Sequence, residues 1–526
     1  MSTDDITSRA FVLGLDGVPW EFIRDRADPD TLPNFARLFE EGATGPLEST
    51  TPATTPLAWP SIATGVRPGT HGIYGFQKLI GEYRQEMYTS GDLRQSPLWE
   101  ILSPALVGNV PMTYPATPFD GKMITGMTTP ELDERSTHPP ELREALLDRV
   151  PDYRIGLDWN DYTDSPDELV ADLSEMVECR REAMRLLMDA GPWRLFFFVY
   201  TAPDRLQHLI WDDQTLIEHY RQLDEILGEV MEYVAENDAT LYVVSDHGFG
   251  PISKFVSVNR ALEEGGLLVR AEGESASDGL GLVPNRTTVE RLIEAIGIDA
   301  DDIRSIVPEV LYRKMTSRLS GESLLYDTDF SRTQAFVFGP GNVYVNDTER
   351  FEGGCVEPEN RDEITAAVRS VLEGLEDPET GVSPVTVHDG DELFPTDEAA
   401  PDLVVDKVNG YECKTGLDDR VFRDPGKNKA GNHRSTGLFA AWGEPIEAGS
   451  TVEDATVYDV APTLLHAMGE PIPAETDGRV LVEVLEDAVS DREPARRSYA
   501  VDAIGSDGDE DYSDVYERLQ GLGYME

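Results

Sequence analysis

Short apolar runs that alternate with helical patterns constrain the fold of this chain more than any other feature. The runs occupy residues 11–15, 195–200, 241–244 and 438–442. Each has the length of a strand that is buried on both faces. Residues 216–235 repeat apolar side chains at helical spacing, and residues 458–468 form a further predicted helix with Gly469 as its C-cap. This alternation predicts an α/β fold with a largely parallel sheet.

The charge of the chain is extreme and argues against several classes of partner. One hundred acidic residues face 44 basic ones among 526 residues, a formal net charge of −56. Nucleic acid and anionic membranes would be repelled at low salt, so we expect neither as a partner. Most basic residues are arginines, and lysines such as Lys78, Lys122 and Lys254 are few. This composition favours a halophile, in which molar salt shortens electrostatic screening to about 3 Å, over a merely acidic soluble protein.

No segment of the sequence predicts membrane insertion or export. The chain has no stretch of eighteen apolar residues, and MSTDDITSRA runs into FVLGLDG without the pattern of a secretion signal. We therefore expect a cytoplasmic protein.

Cys179, Cys355 and Cys413 lie far apart and form no CxxC motif. They predict neither a disulfide framework nor a thiolate metal site.

The length of the chain predicts more than one structural unit. Residues 1–254 form the first part of a predicted core, and residues 426–490 form its second part. Between them, residues 255–425 contain the loop-like GESASDGLG and the turn-rich FGPGN, which indicate an inserted cap. Residues 491–526 are predicted to be an acidic linker followed by a short docking helix.

An aspartate and a threonine stand at the ends of predicted elements near the N-terminus. Asp16 follows the first strand and precedes Gly17, a position at which an aspartate is usually a turn or cap residue. Pro56 suits the first turn of a helix and would make Thr55 its N-cap. A hydroxyl at a helix N-terminus also lies in positive potential, which favours its ionised form. Thr55 is therefore either a capping residue or a nucleophile.

Further acidic and imidazole side chains follow in three later segments. Asp204 and His208 are four residues apart, so on a helix they share a face and can bind one ion. Asp246 and His247 stand together at a strand end before a glycine, and no structural need explains both. His433 is predicted in a loop just before an apolar strand. Two ions about 4 Å apart would contact the attacking and leaving oxygens of a displacement, and oxygen and nitrogen ligands suit Zn²⁺ or Mn²⁺.

The other five of the eight histidines are weaker candidates. His71 is predicted in a turn, and His388 in an exposed acidic turn. His138 and His219 lie in polar surroundings and are predicted to be solvated. His466 falls in the predicted helix 458–468 and is expected to have no role.

Taken together, these segments resemble a known superfamily. FVLGLDG, TTPLAWPSIATGVRPGTHGIYGF, PDRLQH, VVSDHGFG and GNHR occur in the order found in alkaline phosphatases, nucleotide pyrophosphatase/phosphodiesterases and cofactor-independent phosphoglycerate mutases. VGNVPMTYPATPFDGKMITGMTTP, PDLVVD and DVAPTLLHAMGEPIPAETDGRVL resemble the prokaryotic type I phosphodiesterase/nucleotide pyrophosphatase branch. The resemblance spans about residues 9 to 485. It implies an alkaline phosphatase-like three-layer sandwich with a mostly parallel central sheet and an inserted cap region.

The resemblance also implies roles for individual residues. One divalent ion, Zn²⁺ or alternatively Mn²⁺, would be held by Asp204, His208 and His433. A second ion would be held by Asp16, Asp246 and His247, with Thr55 reaching it as the nucleophile. The implied reaction is hydrolysis of a phosphorylated small molecule, either a phosphodiester or a phosphomonoester, through a phospho-threonine intermediate.

Two departures from the superfamily's patterns bear on the substrate. Pyrophosphatase/phosphodiesterases have an asparagine shortly after the nucleophile that binds a phosphoryl oxygen, and Ala58 stands near that place here. The CxPxR motif of sulfatases is absent, which argues against a sulfatase. A phosphomutase or phosphotransferase with the same ions and nucleophile remains an alternative, and so does an inactive metal-bearing binding protein.

Overall fold

The computed structural model describes residues 8–522 except 82, 158, 163–164, 272–326, 396, 398, 426–428 and 500–511. The GESASDGLG stretch lies outside the described residues. The strands are β1 Ala10–Leu15, β2 Ala43–Glu48, β3 Gln77–Ile80, β4 Arg84–Met87, β5 Ala105–Gly108, β6 Gly121–Ile124, β7 Thr137–His138, β8 Leu195–Tyr200, β9 Thr240–Val244, β10 Gly248–Pro251, β11 Lys254–Ser257, β12 Ala335–Phe338, β13 Asn342–Val345, β14 Val385–Asp389, β15 Leu403–Lys407, β16 Tyr411–Lys414, β17 Phe422–Arg423, β18 Gly431–Arg434, β19 Thr436–Trp442, β20 Ala455–Thr456, β21 Ile472–Pro473 and β22 Arg496–Arg497. The α-helices are α1 Trp20–Arg24, α2 Pro33–Glu41, α3 Thr55–Thr64, α4 Pro68–His71, α5 Leu98–Ile101, α6 Leu142–Arg149, α7 Pro166–Met188, α8 Ala202–Leu209, α9 Asp213–Glu236, α10 Val258–Glu264, α11 Arg361–Glu373, α12 Gly390–Leu393, α13 Val460–Ala467, α14 Asp487–Ser490 and α15 Ser513–Gly521.

A nine-stranded sheet forms the centre of the molecule, in the order β20-β2-β19-β9-β1-β8-β5-β6-β7. Strands β9, β1, β8, β5 and β6 run parallel to one another, whereas β19 is antiparallel to both of its neighbours. In the register of these strands, Leu15 lies opposite Tyr200 and Gly14 lies opposite Val244. The carboxyl ends of β1, β8 and β9 therefore meet at one edge of the sheet, where open α/β sheets bind ligands.

Helices cover both faces of this sheet and make three layers. Phe11, Leu13 and Leu15 of β1 pack in one cluster of buried side chains, which includes residues of α2, α7 and α9. Ala10 and Val12 of the same strand pack in a second cluster, which includes residues of α3 and α13. A strand buried on both faces is apolar throughout, as parallel strands commonly are. The predicted α/β class with a mostly parallel central sheet is confirmed.

A second sheet and a third cluster of buried side chains lie in the segment between β11 and β17. The sheet is antiparallel throughout, in the order β12-β13-β15-β14, and residues 339–341 of the FGPGN motif connect its first two strands. Val337, Val368 and Leu403 are among the buried side chains of the third cluster. The domain limits given above, with an inserted cap at 255–425, stay a prediction.

Helix α15 packs on the main core. One cluster of buried side chains contains Phe11, Leu13 and Leu15 of β1 together with Val515, Leu519 and Leu522. Arg518 donates hydrogen bonds to the carbonyls of Thr129 and Pro130.

Among the residues that the structure describes, no helix combines the length and the apolar character needed to cross a membrane. The adaptation to molar salt stays a prediction.

Candidate active site

Two aspartates lie at the ends of adjacent parallel strands, Asp16 after β1 and Asp246 after β9. The N–H of Gly17 donates to Asp246 Oδ1 over 3.1 Å, and the indole N–H of Trp59 donates to Asp16 Oδ2 over 3.2 Å. Gly17 has φ +71°, a conformation that favours glycine. Asp16 Oδ1 and Asp246 Oδ2 are buried and accept no hydrogen bond within the described part of the chain. Each carboxylate is therefore fixed through one oxygen and offers the other.

Helix α8 supplies the next two side chains, and a short strand brings His433 to them. Asp204 and His208 share a face of α8, with 3.5 Å between Asp204 Oδ1 and His208 Nε2. His433 Nε2 lies 3.1 Å from Asp204 Oδ1 and 3.1 Å from His208 Nε2. His433 was predicted in a loop but belongs to β18, where it pairs with Phe249 of β10. This antiparallel pairing places it beside the residues that follow β9.

His247 lies between the two groups and beside Thr55. Its Nε2 is 3.3 Å from Asp246 Oδ2, 3.7 Å from Asp16 Oδ1 and 4.0 Å from Asp204 Oδ1. The hydroxyl oxygen of Thr55 lies 3.3 Å from the same nitrogen. All seven side chains predicted from sequence thus come together in one buried place. Two subsets, Asp16 with Asp246 and His247, and Asp204 with His247 and His433, are close enough to share a metal ion.

Backbone carbonyls determine which nitrogen of two histidines carries the proton. His247 Nδ1 lies 3.1 Å from the carbonyl oxygen of Gly248, and His433 Nδ1 lies 3.1 Å from that of Ala53. A carbonyl oxygen can only accept, so each Nδ1 is the donor. In the neutral form the lone pair of each Nε2 then faces the centre of the site, which is the arrangement required of a metal ligand.

Helix α3 begins one residue earlier than predicted. Its N-cap is Thr54, because the N–H groups of Leu57 and Ala58 both donate to the Thr54 carbonyl over 3.1 Å. Thr55 is the first helical residue and is fully buried. Its prediction as the N-cap is therefore wrong. The hydroxyl of Thr55 faces His247 instead, at the positive end of the helix.

The electrostatics of the site fit a cation. Burial raises the pKa of Asp16 well above its ordinary value, and the charges of Asp246 and Asp204 add to this increase. Burial likewise raises the pKa of Asp246 and lowers the pKa of His208, His247 and His433 well below the ordinary value. Buried carboxylates are costly unless they are paired or coordinate a metal. The oxygens of Asp16 and Asp246 that accept no hydrogen bond are suited to that role.

The remaining histidines lie outside this group, and three differ from expectation. His388 was predicted in an exposed acidic turn, but it is half-buried in β14, where it pairs with Val404 of β15. His219 was predicted to be solvated, but it is buried in α9 and burial lowers its pKa to about 4. His71 is fully buried at the end of α4, and its Nε2 lies 3.1 Å from the hydroxyl of Ser61. Polar neighbours in sequence did not reveal burial, because the burial of His219 depends on which face of α9 meets the core.

Several residues at the site were not found from sequence. Trp59 orients Asp16, and the side-chain amide of Gln207 donates to the carbonyl of Gly17 over 2.8 Å. A cleft beside His208 and His433 is lined, among others, by Lys407, Glu412, Lys414 and Asn432. One signal was present: four of the eight lysines fall within residues 407–429, shortly before His433.

Replacing His433 by alanine is expected to lower the metal content toward one ion per chain without unfolding the protein. His433 contacts Asp204 and His208 but lies in a small two-stranded sheet of short strands, so the loss concerns one ligand group. Metal analysis of the purified variant measures the number of ions per chain, and circular dichroism measures whether the protein is folded. His388→Ala is the matched control and should keep the wild-type content. Unchanged metal content in a folded His433→Ala protein would contradict the assignment.

Comparison with known proteins agrees with the sequence motifs. Residues 10–435 match the family described as type I phosphodiesterase/nucleotide pyrophosphatase, and no curated protein matches the chain. Among solved structures, murine ectonucleotide pyrophosphatase/phosphodiesterase 5 is 13% identical, with 88% of this chain and 96% of that chain covered and a TM-score of 0.48. An inactive form of the murine protein in complex with AMP is 12% identical, with 88% and 96% covered and a TM-score of 0.48. The human protein is 11% identical, with 90% and 97% covered and a TM-score of 0.49.

The family match extends over most of the chain and includes every segment that contributes to the site, from Asp16 to His433. It confirms the resemblance to the alkaline phosphatase superfamily. The chain belongs to the type I phosphodiesterase/nucleotide pyrophosphatase family and is a phosphoric ester hydrolase.

Proposed function

We propose that the protein hydrolyses phosphoric esters of small molecules through a phospho-threonine intermediate on Thr55, at a site that holds two divalent cations. The observation that carries this proposal is the position of the Thr55 hydroxyl. It lies 3.3 Å from His247 Nε2 at the N-terminus of α3, beside the converging aspartates and histidines. A nucleophile needs such a neighbourhood because a free hydroxyl is weakly reactive at neutral pH.

The ligand groups divide the site into two halves. Asp204, His208 and His433 would hold one ion, and Asp16, Asp246 and His247 the other, with Zn²⁺ preferred and Mn²⁺ as the alternative. His247 Nε2 is also within 4.0 Å of Asp204 Oδ1, so the halves adjoin. Two bound ions would supply the positive charge that stabilises the transferring phosphoryl group.

The reaction needs two displacements at phosphorus. In the first, Thr55 Oγ1 forms a bond to phosphorus, the ester oxygen leaves with its electron pair, and the departing alcohol takes up a proton. In the second, a water oxygen forms a bond to phosphorus, the bond between phosphorus and Thr55 Oγ1 breaks, inorganic phosphate or a phosphomonoester leaves, and a proton from the water restores the Thr55 hydroxyl. The N-terminus of α3 favours negative charge on the threonine oxygen and on the phosphoryl group.

A donor is needed for a phosphoryl oxygen because Ala58 stands where related enzymes have asparagine. The N–H groups of Leu57 and Ala58 donate to the Thr54 carbonyl, so they are already engaged. Asn432 lines the cleft, and its Oδ1 accepts the N–H of His433 over 2.8 Å. We propose the amide N–H groups of Asn432 as the replacement donors.

The products distinguish hydrolysis from transfer. We expect the protein, loaded with zinc or manganese, to release a free alcohol and either inorganic phosphate from monoesters or a monoester from diesters. Chromatography and a phosphate assay on a panel of both substrate types measure this outcome. An isomeric phosphate ester in place of these products would show that the enzyme is a phosphomutase.

A further inference from the structure

The cleft beside the candidate active site has walls of different origin. The lining includes residues 52–54 and Pro56, next to the start of α3, together with His208 and His433. The ends of β15 and β16 also line the cleft and contribute Lys407 and Lys414. A molecule that occupied the cleft would therefore contact the imidazoles of the site and these lysines at once.

Lysines are scarce in this chain, and those that the structure describes outside the cleft already have partners. The ammonium of Lys254 lies 2.9 Å from Asp377, and that of Lys78 pairs with Asp92. Lys122 donates to the carbonyl of Ala190 over 2.8 Å. Lys407 differs, because its ammonium forms neither an ion pair nor a hydrogen bond with any residue that the structure describes. Its backbone N–H donates to Asp406 Oδ1 over 2.9 Å. A half-buried ammonium without a counter-ion is costly.

The neighbouring charges leave the lysine side of the cleft with an excess of cations. Lys414 and Lys429 share one carboxylate, Glu412, at 2.8 Å and 3.2 Å. Asp406 is the other carboxylate among the described residues that line the cleft, and it does not pair with the ammonium of Lys407. Counting Lys429, which does not line the cleft, three described ammonium groups lie near two carboxylates, in a protein whose formal net charge is −56.

Lys407 lines the same cleft as His208 and His433, two of the proposed metal ligands. An anion held by Lys407 would therefore share this cleft with the ester phosphate, within reach of one extended small molecule.

We propose that Lys407, supported by Lys414, binds a second anionic group of the substrate, a carboxylate or a phosphate, while the ester phosphate lies at Thr55. The substrate class is then a phosphoric ester that carries another negative charge on the arm retained in the cleft. This inference rests on the proposed hydrolysis at Thr55. Lys407 would be a specificity-determining residue, because it contacts the substrate away from the bond that breaks.

The test uses three 4-nitrophenyl phosphodiesters with the same short arm. The arm ends in a carboxylate, a phosphate or the neutral methyl ester of that carboxylate. The zinc-loaded wild-type protein should have a kcat/KM at least about tenfold higher for an anionic arm, the difference that one charge-assisted contact produces. Lys407→Met should lose this preference through a higher KM and hydrolyse the methyl ester within about twofold of wild type. Lys407→Arg should keep the preference, and so should Lys122→Met, the control outside the cleft.

A binding measurement gives a second readout. Calorimetric titration with 2-carboxyethyl phosphate and with its methyl ester should show tighter binding of the acid by wild type and equal binding by Lys407→Met. Preference for only one of the two anionic arms would identify which anion the cleft selects. The inference, but not the proposed function, would be overturned by either of two results. One is equal hydrolysis of all three diesters by wild type, and the other is an equal loss of kcat/KM on all three in Lys407→Met. Hydrolysis of none of them with zinc or manganese would overturn the proposed function and the inference with it.

Discussion

Thr55→Ala is expected to lower turnover by at least about a thousandfold, a loss typical of removing a covalent nucleophile. Without the hydroxyl, only water could attack phosphorus, and it would do so from a different position. The change should leave the fold intact. It removes a small buried group whose loss costs about 1–2 kcal/mol, and Thr55 is not the N-cap of α3. Steady-state kinetics, circular dichroism and metal analysis of the variant measure these three properties.

Two further variants separate the chemistry from the structure. Thr55→Ser keeps a hydroxyl at the same place and should retain part of the activity. Thr54→Ala is the matched control, because Thr54 is adjacent and is the N-cap but makes no side-chain capping hydrogen bond. It should retain most of the activity. Mass spectrometry of the phospho-enzyme trapped at low pH locates the phosphate directly. A phosphate on Thr54, or near wild-type turnover by Thr55→Ala, would show that the nucleophile is wrongly assigned.

Removal of divalent metal by a chelator is expected to abolish activity, and added Zn²⁺ or Mn²⁺ should restore it. The reason is the concentration of buried carboxylates at the site. Asp16 Oδ1 and Asp246 Oδ2 accept no hydrogen bond within the described residues, and both lie within 3.7 Å of His247 Nε2. Without cations these groups repel one another, and nothing neutralises the charge that develops on the phosphoryl group.

The metal-free protein should also be less stable. A ligand that binds only the folded state stabilises it by about 4 kcal/mol at a thousand times its Kd, so Tm should fall on chelation and rise again with added metal. The chelator saturated with Zn²⁺, which cannot extract further metal, is the control for effects unrelated to metal removal. Asp246→Asn should bind less metal and show a smaller shift in Tm. Full turnover by protein verified to be metal-free would exclude the two-metal mechanism.

Much of the core and of the site was evident in the sequence because the signals are local. The run at residues 195–200 is apolar throughout, since β8 is buried on both faces, and the structure has the strand at the same residues. Asp204 and His208 were expected to share a helical face because four residues complete about one turn, and α8 places them so. The scarcity of histidine made His247 and His433 stand out beside other candidate ligands.

What the sequence by itself determined is therefore the fold class, and it also predicted the seven side chains that the structure brings together, since periodicity and residue chemistry act within a few positions. The tertiary structure decided which atoms meet. His433 reaches Asp204 only because β18 pairs with β10, and Thr55 rather than Thr54 faces His247 because backbone hydrogen bonds start α3 at that residue. The proximity of Lys407 to the imidazoles was likewise invisible, because β15 lies in a different sheet from the strands that carry the aspartates. Contacts between distant segments depend on strand pairing and packing across the whole core, and no local pattern records them.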